Sequence, residues 1–156
     1  MELSPHFTLE ELTHTDTGFP NDPSPDQIKR LTYLANYALE RVRYLLGTAI
    51  KINSGFRSPA VNDAVHGSKT SAHLRGDAAD IVPSMDLLTA YKLTMDDLGL
   101  GYDQLIWEAH TTPRGGMTRW IHIGLADQNS IARRQKLIYT PKTNGKYLPF
   151  DEGYIV

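Results

Sequence analysis

The chain has 156 residues, with 16 Lys and Arg against 18 Asp and Glu and a formal net charge of -2, so it carries no strong field for nucleic acid or an anionic membrane surface. Hydrophobic residues make up 40% and charged residues 22%, the composition of one globular domain, spanning 1–156, with room for a core. No Cys is present, which excludes disulfides, thiolate metal sites and thiol nucleophiles, and no apolar run approaches the roughly 20 residues that span a bilayer.

The first residues, Met1-Glu2-Leu3-Ser4-Pro5-His6-Phe7, have neither the basic nor the apolar region of a signal peptide. The expectation is a protein made in the cytoplasm, for which action outside the membrane needs another exit route. Thr8 and Glu11 have capping-box spacing and open a short helix over 9–12. The stretch 15–23, rich in Gly, Pro, Asn and Asp, reads as loop.

Ser24-Pro25-Asp26-Gln27 is a strong helix start, with Ser as cap, Pro in the first turn and Gln reaching back. Ile28, Leu31, Ala35, Ala38, Leu39, Val42 and Leu46 then recur at helical spacing until Gly47 ends the run. Tyr33, Tyr37 and Tyr44 of this helix read as packing or surface residues before substrate contacts. A strand follows over 49–53, then a loop with a short helix over 59–64. Residues 77–82 read as a strand, and Ser84 caps a second helix over 85–98. Two strands, 104–108 and 119–125, are joined by a loop with Gly and Pro, and 135–140 forms a last strand. Helices segregated from a largely antiparallel sheet make an α+β domain.

Ser71-Ala72-His73-Leu74-Arg75-Gly76-Asp77-Ala78-Ala79-Asp80, followed later by Trp120-Ile121-His122, is the most informative feature. Gly76 permits a turn that lets a loop His73 and a strand Asp80 face one point. On the later strand His122 and Trp120 share one face, and Ile121 and Ile123 share the other. Three N/O donors with a fourth position left to solvent suit a catalytic zinc ion. Spacing alone leaves a second reading open, in which the histidines are surface or capped residues and Asp80 is a turn residue.

The motif Ser71-x-His73-x-x-Gly76-x-Ala78-x-Asp80 with its Trp-x-His strand resembles the zinc D-alanyl-D-alanine carboxypeptidase and dipeptidase family. Ile52-Asn53-Ser54-Gly55-Phe56-Arg57-Ser58 with Asn62 resembles the branch common in phage and prophage genomes. The similarity runs from about Phe7 to Leu125; the tail after Asp127 resembles nothing. It implies His73, Asp80 and His122 as Zn2+ ligands and Arg57 as a catalytic and substrate-binding cation that steadies developing oxyanion charge. It also implies the hedgehog/DD-peptidase-like fold, a central antiparallel sheet flanked by helices.

The chain departs from its relatives at two positions. Several relatives place a catalytic Glu three residues before the last ligand, where this chain has Arg119, which cannot act as a base. Others place a second His two residues before it, where this chain has Trp120. Glu108 is the remaining base, provided that its strand and the Trp-x-His strand form a hairpin.

Ser71, Asn62 and Trp120 are further substrate-binding candidates, each with a turn, loop or packing role as its alternative. Arg75 and Asp77 read as solvated, His66 as a loop residue, and His110 as a residue of the cleft rim. Ser54 and Ser58 lack a nucleophile-elbow pattern, so a serine hydrolase is a poor reading.

The leading expectation is a monomeric zinc metallopeptidase that cuts peptidoglycan stem peptides at the bacterial cell wall, as a phage or prophage lysin released through a holin or as a virion component. The alternatives are a cytoplasmic D-Ala-D-Ala dipeptidase or carboxypeptidase, and a non-catalytic zinc-containing binding module. Neither nucleic acid nor membrane insertion is expected.

Overall fold

The computed structural model describes residues 1–97 and 101–156. A hairpin of β1 (Glu2–Ser4) and β2 (Phe7–Thr8) leads into α1 (Leu9–Thr13), which Thr8 and Glu11 cap reciprocally. Ser24 and Gln27 form a second capping box at the start of α2 (Pro25–Leu34). The helix continues through a π-helical segment, Ala35–Leu39, into α3 (Glu40–Leu46), and Gly47 closes it in the left-handed conformation at φ 62°. The π segment departs from the regular periodicity, and Asn36 supplies a cause. Its Nδ2 donates to Thr32 O at 2.8 Å, the carbonyl that its own N–H reaches in a regular α-helix, and to Leu3 O at 2.9 Å. A side-chain donor inserted into the helical ladder deforms it locally.

The remaining elements are β3 (Ile50–Ser54), α4 (Pro59–Ala64), β4 (Ala78–Pro83), α5 (Leu87–Asp97), β5 (Tyr102–Thr111), β6 (Met117–Leu125), β7 (Gln135–Tyr139) and β8 (Leu148–Pro149). The helix expected over 85–98 begins later than read, and Leu98 lies outside the described residues. Its cap is Asp86, whose Oδ2 accepts from Thr89 N at 2.8 Å. Ser84 does not cap it, because Ser84 N still donates to Ala49 O beside the β3–β4 ladder.

The six-stranded sheet has the order β3-β4-β6-β5-β7-β8. Every pairing is antiparallel except β5 with β7, so the sheet is mixed where an antiparallel one was expected. The chain reverses once after β6 and passes the start of β5 to its far side, which leaves β7 running in the direction of β5. The α+β class holds, and the architecture is compatible with a hedgehog/DD-peptidase-like fold.

Alternation along the strands divides the sheet into two chemistries. Ile81, Ile121, Ile123, Leu105, Trp107 and Ile138 belong to one buried core with Leu31, Leu34, Ala38, Leu39 and Val42 of the long helix and with Ala90 and Tyr91 of α5. The opposite face carries Asp80, His122 and Ile106 in a single register row, with Trp120, Glu108 and Tyr139 in the next. The core therefore forms without help from the polar face.

Candidate metal centre

Local sequence turns the chain so that His73 and Asp80 meet. Ser71 Oγ accepts from His73 N and caps a 3-10 turn over Ala72–Arg75, which Gly76 ends at φ 82°. A side chain at Gly76 would press on Gln27 O at 2.9 Å and on Leu31, so the turn lies tight against α2 and feeds directly into β4. Asp80 then pairs with His122 across β4 and β6, which brings directly opposed side chains to roughly 5 Å apart at Cβ.

The donor atoms converge. His122 Nδ1 lies 2.9 Å from Asp80 Oδ1, His73 Nε2 lies 3.3 Å from the same oxygen, and the two ring nitrogens are 3.2 Å apart. All three residues are buried, and the group could hold a metal ion. Donors about 2.1 Å from a tetrahedral ion stand roughly 3.4 Å apart, so these atoms need only small adjustments to accept zinc. His73 Nδ1 donates to Gly55 O at 2.6 Å, which leaves the Nε2 lone pair facing the other donors. Gly55 packs against Leu12 so closely that a Cβ there would overlap Leu12 O. The Phe56 N–H also donates to that carbonyl, at 2.7 Å.

Charge in the cluster is unevenly shared. Burial disfavours charge on Asp80, yet His73 and His122 outweigh it and hold the carboxyl well below the usual carboxylate range. Burial also lowers His73, and here it prevails over the attraction of Asp80. For His122 burial is overcome by Asp80, so the ring lies above its ordinary value.

Arg57 Nη2 donates to Asp80 Oδ2 at 2.7 Å, and its Nε donates to Ser54 Oγ at 2.8 Å. Among the described residues Nη1 has no hydrogen-bond partner. Glu108 is 7% exposed and lies on the same sheet face as His122; the β5–β6 hairpin that this position requires is present. His110 Nε2 donates to Glu108 Oε2 at 2.8 Å, and the His110 ring stacks on Trp120 at 4.6 Å and 1°. These groups line one cleft of about 1160 Å³ with Ser71 and Tyr147.

Of the other expectations, those for Asn62 and Asp77 come out differently. Asn62 does not line the cleft. It is 1% exposed, its Nδ2 donates to Ser68 O at 3.0 Å, and a Cβ on Gly67 would overlap its Oδ1, so it shapes the 62–68 loop. Asp77 is not solvated. It is buried beneath Arg30 and Arg75, at 2.8 and 2.9 Å, because the turn that places His73 also presses it towards α2. Arg75 is half-buried. His66 is exposed on the cleft rim. Ser54 Oγ accepts from Arg57, and Ser58 Oγ donates to Pro20 O; neither hydroxyl meets a histidine. The stacked Tyr33 and Tyr37 and the isolated Tyr44 are exposed and lie outside this cleft.

Two contributors carry no sequence signal of their own. Asn21, in a segment read as plain loop, donates to Thr13 O and Phe56 O and accepts from Ser58 N, which pins the segment bearing Arg57. Tyr147, in the tail, lines the cleft; although the residue is 54% exposed, partial burial of its hydroxyl and the nearby Glu108 push that group upward.

A family model described as Peptidase M15 matches residues 5–96. The matched stretch includes Arg57, His73 and Asp80 and ends before Glu108 and His122. No curated protein matches the chain. With more than half of its length under that model, the chain belongs to the peptidase M15 family.

Proposed function

We propose that this chain is a zinc metallopeptidase that hydrolyses peptide bonds in peptidoglycan stem peptides, acting at the bacterial wall as a phage or prophage lytic enzyme. Family membership supports zinc-dependent peptide hydrolysis. The observation that carries the reading is the convergence of His73 Nε2, Asp80 Oδ1 and His122 Nδ1 in the cleft that also holds Arg57 and Glu108. No helix among the described residues is long and apolar enough to cross a membrane.

Zinc supplies Lewis-acid chemistry, polarising a carbonyl and acidifying water. The protein's residues do the rest. His73, oriented by Gly55 O, would hold the ion together with Asp80 and His122. Glu108 takes the proton of the attacking water on Oε1, since Oε2 is engaged by His110, and returns it to the leaving amine. Arg57 Nη1 donates to the substrate carbonyl oxygen as negative charge develops there. Trp120 and Tyr147 bound the cleft beside Glu108, and Ser71 also lines it.

Purified protein, supplied with zinc and incubated with bacterial cell walls and defined muropeptides, should release new amine and carboxyl ends, and a chelator should stop it. Mass spectrometry of the products identifies the bond. Cleavage of D-Ala-D-Ala without cleavage of walls would replace this reading with a dipeptidase. Bound zinc without any new ends would replace it with a binding module.

A further inference from the structure

We infer that His110 is a positioning residue that holds Glu108 in its working orientation, an inference that rests on the reading of Glu108 as the base. Glu108 and His110 are alternate residues of β5 and share a sheet face. The His110 Nε2–H donates to Glu108 Oε2 at 2.8 Å. Among the described residues Oε1 has no hydrogen-bond partner, so one oxygen is anchored and the other is free to receive a proton. A glutamate side chain turns about several torsions, and fixing one oxygen removes most of that freedom before substrate arrives.

The imidazole is itself clamped. The ring of Trp120, on β6, lies parallel to it at 4.6 Å and 1°. Tyr139, on β7, stacks at 5.0 Å and 23°. Both are register partners of Glu108, one on each neighbouring strand, so the aromatic pair that flanks the carboxylate also grips the ring that holds it. Tyr139 is backed in turn by Tyr147 at 4.8 Å. An incidental surface histidine on a strand would be free to rotate. This one has two stacking partners and a charged acceptor, and it is the more exposed member of the pair, with side chains 38% and 10% accessible.

The test compares His110→Gln, whose amide nitrogen can occupy the place of Nε2, with His110→Leu, which has no donor. Zinc-loaded protein is assayed on a defined muropeptide beside Glu108→Gln, with zinc content and Tm measured for each variant. His110→Leu should lower kcat roughly tenfold to a hundredfold with KM and zinc content unchanged. His110→Gln should recover most of the loss. In metal-free protein, NMR should show a His110 Nε2–H proton protected from exchange that disappears in Glu108→Ala. If His110→Leu does not fold, His110→Asn, too short to reach Oε2, takes its place.

A wild-type kcat in His110→Leu, no recovery in His110→Gln, or no protected proton would each overturn the inference. Glu108→Gln distinguishes the two levels. If it is inactive while His110→Leu is fully active, only the role of His110 falls. If it turns over normally with zinc bound, the base reading falls and takes the role of His110 with it.

Discussion

Arg57 grips Asp80 by the oxygen that the histidines do not face: its Nη2 is 2.7 Å from Oδ2, whereas Oδ1 lies 2.9 Å from His122 Nδ1 and 3.3 Å from His73 Nε2. The arginine therefore orients a metal donor as well as facing the cleft. Replacing Arg57 with Ala should weaken zinc binding roughly tenfold to a hundredfold, the usual cost of losing a partner of a ligand, in addition to lowering turnover. Arg57→Lys should restore charge but not the paired bonds to Asp80 and Ser54, and so recover little. Competition with a chromophoric chelator measures this; unchanged affinity would confine Arg57 to the substrate.

Removing the metal should lower stability without unfolding the protein. Asp80 and His122 sit on the sheet face opposite the aliphatic core, and His73 on the turn before β4; the core is complete without them. A ligand that binds only the native state, present at a thousand times its dissociation constant, adds about 4 kcal/mol. Chelated protein should keep its far-ultraviolet circular dichroism and melt at a lower temperature, and added zinc should reverse the change. His73→Ala and His122→Ala should melt at one temperature with or without zinc. A zinc-dependent rise in either would mean that the ion binds elsewhere.

How far the site could be read from sequence follows from what each residue depends on. His73, Gly76 and Asp80 sit within one turn and one strand, so their spacing carries their geometry. His122 needed only strand alternation to place it on the polar face. Glu108 required a long-range pairing, but a hairpin is the simplest link between two adjacent strands, and its register sets the glutamate beside Trp120. The parallel β5–β7 pair was not legible, because nothing local distinguishes a strand that lands on one side of a hairpin from one that lands on the other. Asp77 was misread for a similar reason: its burial comes from Arg30 on a helix far earlier in the chain. Asn21 and Tyr147 lie in segments without periodicity, where only the folded chain shows what they touch.

Two glycines near the site separate its geometry from the stability of the fold. A Cβ on Gly124 would stand 3.1 Å from His122 Nε2, close enough to push the ring but not the backbone. Gly124→Ala should therefore fold with nearly the wild-type Tm and bind zinc several-fold more weakly. A Cβ on Gly55 would collide with the Leu12 carbonyl, which cannot move without shifting α1. Gly55→Ala should lose about 1–3 kcal/mol by overpacking and also weaken zinc, because Gly55 O orients His73. Denaturant melts and zinc titrations of the two variants check the contrast; equal stability losses would show that His122 has no more room to give than the Leu12 backbone.

The rim of the cleft should lose stability in acid through one ion pair. Arg133 Nη2 lies 2.6 Å from Asp103 Oδ2, and its Nε bonds both carboxylate oxygens, at 3.0 and 3.2 Å. The Arg133 bonds hold the Asp103 carboxyl below its ordinary value against the opposing effect of burial. A carboxyl lowered by folding contributes stability that is complete above the unfolded value, near pH 4, and is lost as pH falls through the lowered one. Because the Arg133 side chain is 55% exposed, the pair should contribute no more than about 1 kcal/mol. Asp103→Asn should therefore lower stability by that amount at pH 7 and converge with the wild type in strong acid, where both side chains are neutral. Urea melts at pH 7 and at about pH 3 measure the difference; a gap that persists undiminished in acid would assign the effect to packing of the side chain and not to its charge.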